Sequence, residues 1–598
     1  MVCALFAWRA LVSPRLWFGP VSGHAARPWW YLEASAIRRW GVGSEVDAVS
    51  RSSVGLGDLV AWFAMTPEHN LVLVGFMGTG KTTVGREVAS LLEMEFVDTD
   101  ETIEARHGPI AKIFAEHGEA RFRELERQIA REFGARSGLV IATGGRMILD
   151  PANFKELSRN GRIFCLVATP DEIHHRIAND TDRPDRPLLQ VDDPRQRIIE
   201  LMTERHREYQ RFPQLITDHG GPGVIAEEVG HLWRGPSSYE VSSPDGGYAC
   251  TVGVGLLPFV RQLASVGGPV VVVTDEVVAD LYGGSLGEVD LMVALPAGRE
   301  SKTLDSVQAV YEQLFRAGVD KSATLLSLGT SIIGDVAGFA AATYLRGLDL
   351  VHCPTNLIAM VDTSIGGKVG LDVTHGRNLI GLWKQPKAVI ADVGTLQTLP
   401  AREFASGLAE VVKHGLVAST SLLERIETTS WSATEQLLPG ILGDLQSLVA
   451  QAIQVKIAIV QDDPHEEKDR RTALNLGHTF AYGIELASKG AVDHGEAVAM
   501  GLVAATRLSH RLGYASEDLA DRVEAIIEHV GLIPHLPDSI DIPSIIEGIQ
   551  RDKKRRGTRM RFVLMRDVGD PFVTDEVPML DVIATLEGMQ ARWGRPSR

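Results

Sequence analysis

Gly75-Phe76-Met77-Gly78-Thr79-Gly80-Lys81-Thr82 fits G-x-x-x-x-G-K-[ST], a loop that cradles phosphate. Its glycines let backbone N–H groups turn toward phosphate oxygens. Lys81 would reach the β- and γ-phosphates of ATP, and the Thr82 hydroxyl would ligate Mg2+. Gly78, Thr79, Gly80 and Thr83 complete this nucleotide site. A second set lies far along the chain: Glu410, His478 and His494. Two histidines and one carboxylate with an open position suit catalytic zinc. Spacing alone makes these three candidates, because they are distant in sequence and most helical histidines are not ligands.

Positioning these groups takes definite elements. Leu71-Val72-Leu73-Val74 reads as a buried strand and Thr83 to Leu92 as a helix, whose N-terminus favours phosphate. Residues 65–230 alternate strand and helix. Phe96-Val97 ends a second strand before Asp98-Thr99-Asp100. Leu139 to Ala142 is a third, before Thr143-Gly144-Gly145, and Ile163 to Val167 is a fourth. Such alternation implies a doubly wound parallel sheet with ligands at the carboxyl ends of its strands. Residues 231–238, with Gly235-Pro236, read as a linker. Tyr239 to Val241 and Tyr248 to Val252 read as a hairpin opening the next domain. Residues 239–400 alternate again: Pro269 to Thr274 ends at Asp275, Leu325 to Leu328 ends at Gly329, and Leu350 to Cys353 ends at Pro354. This is a nucleotide-binding type of α/β layer without a clean G-x-G-x-x-G. Residues 401–598 turn helical, with amphipathic stretches at 403–428, 436–461 and 496–531. The expected fold class is α/β: a P-loop domain, a second nucleotide-binding α/β domain, then an all-α metal-binding domain.

Composition narrows the functions. At 598 residues the chain should hold two to four domains. A hydrophobic share of 44%, a charged share of 23% and 59 glycines are ordinary for α/β proteins. A net charge of −17 argues against general nucleic-acid binding. Cys3, Cys165, Cys250 and Cys353 form no C-x-x-C pair, which fits a reducing cytoplasm. No apolar stretch is long enough to span a bilayer, so no membrane partner is expected. Residues 1–64 are rich in Trp and Arg and poor in acids. They read as a disordered extension or a misassigned start, with Met65 as the natural start, in preference to a transit peptide.

The loop, Asp98-x-Asp100, Gly118-Glu119-x-x-Phe122-Arg123-x-x-Glu126, Thr143-Gly144-Gly145 and Arg186-Pro187-Leu188-Leu189 occur in an order that resembles shikimate kinases over about residues 70–225. That resemblance implies ATP-dependent phosphorylation of the shikimate 3-hydroxyl. It assigns Asp100, Arg123, Gly145 and Arg205 to shikimate, with both guanidinium groups on its carboxylate. Asp98 joins Thr82 at Mg2+. Asp100 orients the attacking hydroxyl and takes its proton, Lys81 serves catalysis, and Arg186 closes a lid over ATP. Arg146 departs from the family's third glycine, adding either a contact or crowding. A kinase for another small hydroxy acid is the alternative.

Gly334-Asp335-x-x-Gly338-Phe339, Val361 to Lys368, Gly376 to Gly381, Gly407-Leu408-Ala409-Glu410-x-x-Lys413, Leu474 to Thr479, His494-Gly495-Glu496 and Asp552-Lys553-Lys554 resemble 3-dehydroquinate synthase over about residues 237–595. This implies conversion of 3-deoxy-D-arabino-heptulosonate 7-phosphate to 3-dehydroquinate with NAD+ and Zn2+ or Co2+. The implied course is oxidation at C5, loss of phosphate, return of hydride and ring closure, with no net redox change. Glu410, His478 and His494 are the implied metal ligands. Asp275, Lys302, Gly329, Thr330, Ser331, Ile332, Asp335, Thr355, Asn356, Asp362, Lys368, Arg377 and Thr395 fall to NAD+. Asp362, Lys368, Lys413, Lys456, Arg471, Asn475 and Lys553 fall to the sugar phosphate, with Lys368, Lys413, Arg471 and Asn475 catalytic. Departures cluster on the nucleotide side. Thr330, Ser331 and Ile332 replace Gly-Gly-Val, Arg299 replaces an acid, Asn356 replaces Thr, and Arg377 replaces Lys. Tyr482 stands where the family carries a further His. Alternatives are another sugar-phosphate cyclase, a polyol dehydrogenase, or a synthase-like half kept as a structural partner. The resemblance also points to a homodimer through this half.

Overall fold

The computed structural model describes residues 69–179, 189, 191–218, 220–374, 376–429, 431, 441–550 and 560–592. Residues 1–64, Arg186 and Lys553 lie outside the described residues. β1 (Asn70–Gly75) is buried along its whole length, as a central parallel strand must be. It lies between β3 (Leu139–Ala142) and β4 (Gly161–Val167). β2 (Glu95–Asp98) and β5 (Gln214–Ile216) form the edges, giving the order β2-β3-β1-β4-β5, all parallel. The short edge strand β5 is an addition to the expected four.

Residues 231–238 are nearly all regular structure. The helix Pro222–Arg234 runs up to Gly235-Pro236, and β6 (Ser237–Val241) starts at once. β6 pairs antiparallel with β7 (Tyr248–Gly253), the expected hairpin. Then follow β8 (Val270–Asp275), β9 (Leu291–Leu295), β10 (Thr324–Gly329), β11 (Asp349–Pro354), the hairpin of β12 (Lys368–Val373) and β13 (Gly376–Trp383), and β14 (Ala388–Asp392). The second sheet has the order β6-β7-β14-β11-β10-β8-β9, with only the β6–β7 pair antiparallel. Among the described residues the remainder is mostly helical, joined by one two-stranded hairpin, β15 (Phe562–Met565) with β16 (Pro571–Thr574).

Two expected helices are each broken in two. Stretch 403–428 divides into Ala401–Ala418 and Thr420–Thr428, because Ser419 turns extended and its hydroxyl caps the Leu422 N–H at 3.3 Å. Stretch 496–531 divides into His494–Arg511 and Glu517–His529, where Gly513 takes a φ of 78° and Ser516 caps the second helix. Of the remaining stretch, 436–461, residues 436–440 lie outside the described residues and the rest falls in the helix Leu442–Asp462 and its N-cap Ile441. No described helix is long and apolar enough to cross a membrane.

The two sheets share one hydrophobic cluster. Leu71 and Leu73 of β1 and Val229 and Leu232 of the joining helix belong to the same core as Tyr248, Cys250 and Phe404. Arg162 of β4 is buried at this junction and donates to the carbonyls of Trp233 at 2.7 Å, Leu232 at 3.0 Å and Val254 at 2.5 Å. Burial lowers its pKa to about 10, against the pull of Asp392. Gln397 caps the β5 edge with its side-chain amide, accepting from the Gln214 N–H at 2.7 Å and donating to the Gln214 carbonyl at 2.9 Å. Replacing Arg162 with Met recovers one desolvation cost but strands three buried carbonyls. Arg162→Met is expected to lower unfolding stability by roughly 3 kcal/mol in a urea titration. An unchanged midpoint would show that the junction does not depend on it.

Candidate functional site

The phosphate loop is shaped by close packing. A Cβ on Gly75, at φ 138°, would lie 2.2 Å from the Leu166 carbonyl oxygen, so only glycine lets β1 turn there. Gly78 and Gly80 also take positive φ. Lys81 folds over the loop and donates to the carbonyls of Gly75 at 3.0 Å and Phe76 at 2.8 Å. Thr82 Oγ1 donates to Asp98 Oδ2 at 2.7 Å, which unites the two expected Mg2+ residues. Asp98 Oδ1 accepts from the N–H groups of Asp100 and Glu101, so it caps the helix Thr99–His107 as well. Thr83 sits exposed in the first turn of the helix Lys81–Leu92.

The residues expected around shikimate converge beside this loop. Asp100 lies against Gly144, where a Cβ would be 2.5 Å from Asp100 Oδ1. Gly118, at φ 75°, interrupts the helix Ile110–Gly134 and lets Glu119 begin a new run that carries Arg123. Arg123 pairs with Glu119 at 2.8 Å and Glu126 at 2.7 Å. Burial lifts the Glu126 carboxyl to about 7, against the pull of Arg123. Arg146 reaches toward the same Glu119, at 3.7 Å. Arg205, on the helix Pro194–Gln210, is only 4% exposed and lies 5.3 Å from the Phe76 ring centre. Its Nε and Nη1 are buried without a hydrogen-bond partner among the described residues. Tyr209 fixes Gly145 by donating to its carbonyl.

On the second sheet, Asp275, Gly329 and Thr355 of the expected nucleotide residues sit at strand carboxyl ends, whereas Asp335, Asp362, Lys368 and Arg377 do not. Asp275 ends β8 and caps Val277 and Val278. Gly329 ends β10, and its carbonyl accepts from the Thr355 N–H at 3.0 Å. Thr330, Ser331 and Ile332 open the helix Ser331–Thr343. Thr395 Oγ1 donates to the Asp392 carbonyl at 2.8 Å. Lys302 and Asp335 pair with each other at 2.5 Å. Two residues face other partners. Asn356 Oδ1 accepts from the Ala359 N–H at 3.0 Å and so caps the π-helical turn Ala359–Thr363. Arg377 pairs with Glu485.

That π-helical turn delivers Asp362 into a buried charge cluster. Asp362 Oδ1 lies 2.6 Å from Lys456, 3.6 Å from Lys413 and 3.4 Å from His414 Nε2. Lys413, 1% exposed, also reaches Glu410 Oε2 at 2.5 Å. Burial alone would raise both carboxyls; Lys413 outweighs it at each, with Lys456 at Asp362 and His478 at Glu410, and holds them well below the ordinary range. Glu410, His478 and His494 offer ligand atoms within 4.8 Å of one another. His478 Nδ1 faces the Leu476 carbonyl at 3.2 Å and His494 Nδ1 faces Glu485 Oε1 at 3.0 Å. A hydrogen on Nδ1 of each would satisfy these acceptors and leave Nε2 turned to Glu410 Oε1, at 3.4 and 3.5 Å. Two imidazoles and one carboxylate in this tautomer fit a zinc-type ion. Around the cluster, Arg471 donates to the carbonyls of Pro464 and Gly366 and lies 5.0 Å from the Trp383 ring centre. Lys368 pairs with Glu466, which also accepts from Asn475 at 3.4 Å.

The family model for 3-dehydroquinate synthase N-terminal matches residues 292–406, and that for 3-dehydroquinate synthase C-terminal matches 407–555. A 3-dehydroquinate synthase from Synechococcus is 40% identical over 362 residues, covering 59% of this chain and 96% of the relative. The chain belongs to the 3-dehydroquinate synthase family. A 3-dehydroquinate synthase from Pelobacter propionicus is 38% identical over 364 residues, covering 60% of this chain and 98% of the relative. The shikimate kinase family model matches residues 77–230, so a shikimate kinase domain precedes the synthase. Among solved structures, a 2-epi-5-epi-valiolone synthase from Streptomyces hygroscopicus with NAD+ and Zn2+ bound is similar at a TM-score of 0.54 and 27% identity, covering 60% of this chain and all (100%) of that one. A 2-deoxy-scyllo-inosose synthase, at 0.54 and 24% with 59% and 100% coverage, shares the fold.

In the synthase half, sequence reasoning missed His414, Glu466, Glu485 and Trp383. His414 and Glu485 had a signal: they lie four and seven residues after Glu410 and His478, on the same helix faces. Glu466 and Trp383 had none. His478→Ala, which removes one of three donors, is expected to weaken zinc binding roughly 100-fold or more in a chelator competition. An unchanged affinity would place the ion elsewhere.

Proposed function

We propose that this chain phosphorylates shikimate with ATP and Mg2+ in its first domain and cyclises 3-deoxy-D-arabino-heptulosonate 7-phosphate to 3-dehydroquinate in the rest. The observation that carries the synthase reading is a buried cluster of cations directly beside a three-donor metal centre. Lys413 and Lys456 flank Asp362, the Arg471 charge acts on Asp362 and Lys456, and Lys368 shares the Trp383 ring with Arg471. Four cations gathered against Glu410, Asp362 and Glu466 support a phosphorylated substrate over a neutral polyol. We take 65–230, 239–400 and 401–598 as the working domains, a cytoplasmic location, and a homodimer through the synthase half.

In the kinase domain, Arg123 and Arg205 would clamp the shikimate carboxylate and Gly145 would leave room for the ring. Asp100 would orient the 3-hydroxyl and take its proton. Lys81 would neutralise the transferring phosphoryl group, with Thr82 and Asp98 holding Mg2+. In the synthase, Glu410, His478 and His494 would hold Zn2+ or Co2+, and the carboxyl ends of β8, β10 and β11 would hold NAD+. When bound, these supply Lewis acidity and a reversible hydride acceptor. Lys413, Lys456 and Arg471 would neutralise the departing phosphate, while Asp362 and Asn475 would orient the sugar hydroxyls.

Two measurements test the assignments. Arg123→Ala should lower kcat/KM for shikimate roughly 100-fold, about 3 kcal/mol, while KM for ATP stays near wild type. Undiminished shikimate turnover would refute that clamp. Burial pushes the Lys456 ammonium down to about 8, against the pull of Asp362. It therefore carries its charge below pH 8 and loses it above. KM for the heptulosonate phosphate in a phosphate-release assay should rise as pH climbs through 8, and Lys456→Arg should flatten that rise. A flat wild-type profile would remove Lys456 from the phosphate site.

A further inference from the structure

Three of the departures from the synthase pattern meet at one place. Arg377, at the start of β13, pairs with Glu485, whose carboxylate is 6% exposed. Arg299 pairs with Asp372 of β12 at 3.1 Å, and its charge acts on Glu485. Tyr482 lies on the same helix as Glu485, His478–Ala487, and its hydroxyl is 3.6 Å from where a Cβ on Gly376 would stand. Glu485 in turn receives His494 Nδ1 at 3.0 Å. The contacts run from the β12–β13 hairpin through one buried carboxylate to a metal ligand.

We infer that Arg377 is a positioning residue for the metal centre: it anchors Glu485, which orients His494. With a metal on Nε2 the His494 imidazole carries no charge of its own, so the buried Glu485 carboxylate would be poorly compensated, and the Arg377 guanidinium supplies the missing charge. Fixed in this way, Glu485 keeps the hydrogen of His494 on Nδ1 and aims Nε2 at the Glu410 side. A lysine could supply the charge, but not the planar fork that holds a carboxylate in orientation. Arg377 thus acts away from NAD+, although the family resemblance assigned it there, and the departures Arg377 and Arg299 gain a joint role.

The inference rests on the metal-centre reading, and the test separates the two. Zn2+ affinity of the metal-free full chain is measured by chelator competition, and NAD+ affinity by calorimetry, for wild type, Arg377→Met, Arg377→Lys and Glu485→Gln. Expected are a roughly 10-fold loss of Zn2+ affinity in Glu485→Gln, a several-fold loss in Arg377→Met, an intermediate value in Arg377→Lys, and an unchanged NAD+ Kd throughout. Zn2+ affinity equal to wild type in both Arg377→Met and Glu485→Gln overturns the inference and leaves the metal centre standing. Weaker NAD+ binding in Arg377→Met with unchanged Zn2+ affinity overturns it in favour of a nucleotide contact. Failure of the wild type to bind Zn2+ sinks the metal centre and this inference together.

Discussion

The synthase half depends on one constraint: opposite charges must alternate without a gap through a nearly dry interior. Glu410, Lys413, Asp362 and Lys456 do so across separations of 2.5, 3.6 and 2.6 Å. Each attraction is worth about 4 kcal/mol at the effective dielectric of such sites, while each buried ion costs several kcal/mol to desolvate. The two nearly cancel, so the cluster adds little to stability. Its value lies in arranging a metal-ligating carboxylate, two ammonium groups and a hydroxyl-orienting carboxylate within one reach. Three elements must agree for this: the helix Ala401–Ala418, the helix Leu442–Asp462 and the π-helical turn Ala359–Thr363. A π-turn shifts side-chain register relative to an α-helix, and here it brings Asp362 to both lysines.

The kinase domain is built into the same body. It shares a hydrophobic cluster with the synthase, and Arg162 and Gln397 satisfy backbone groups across the junction. The proposed reactions are not consecutive, so contact between the domains carries no implication of direct substrate transfer. Its evident consequence is structural: the kinase strand β5 has its edge capped by a synthase side chain.

Much of the candidate chemistry was legible in the sequence because it lies in short contiguous motifs. The phosphate loop, Asp98 with Asp100, and the peptides around Glu410, His478 and His494 each name their residues directly. Geometry was legible only where a local rule applied, as for Thr82 in the first turn of the helix after β1 and Asp98 at the end of β2. Glu466 and Trp383 were invisible because their partners, Lys368, Asn475 and Arg471, are brought to them by tertiary packing alone. The amphipathic pattern continued through Ser419 and Gly513, so periodicity could not show two helix breaks that capping decides. Arg377 was read as a nucleotide contact from its motif, and nothing in that motif showed that its side chain pairs with the buried carboxylate of Glu485.

The most direct test of the account follows phosphate and NADH together when the full chain, supplied with Zn2+ and NAD+, meets 3-deoxy-D-arabino-heptulosonate 7-phosphate. The account predicts phosphate release that requires NAD+ while NADH does not accumulate, because the hydride returns to the substrate. NADH appearing in step with substrate consumption, without phosphate release, would contradict it and mark this half as a dehydrogenase.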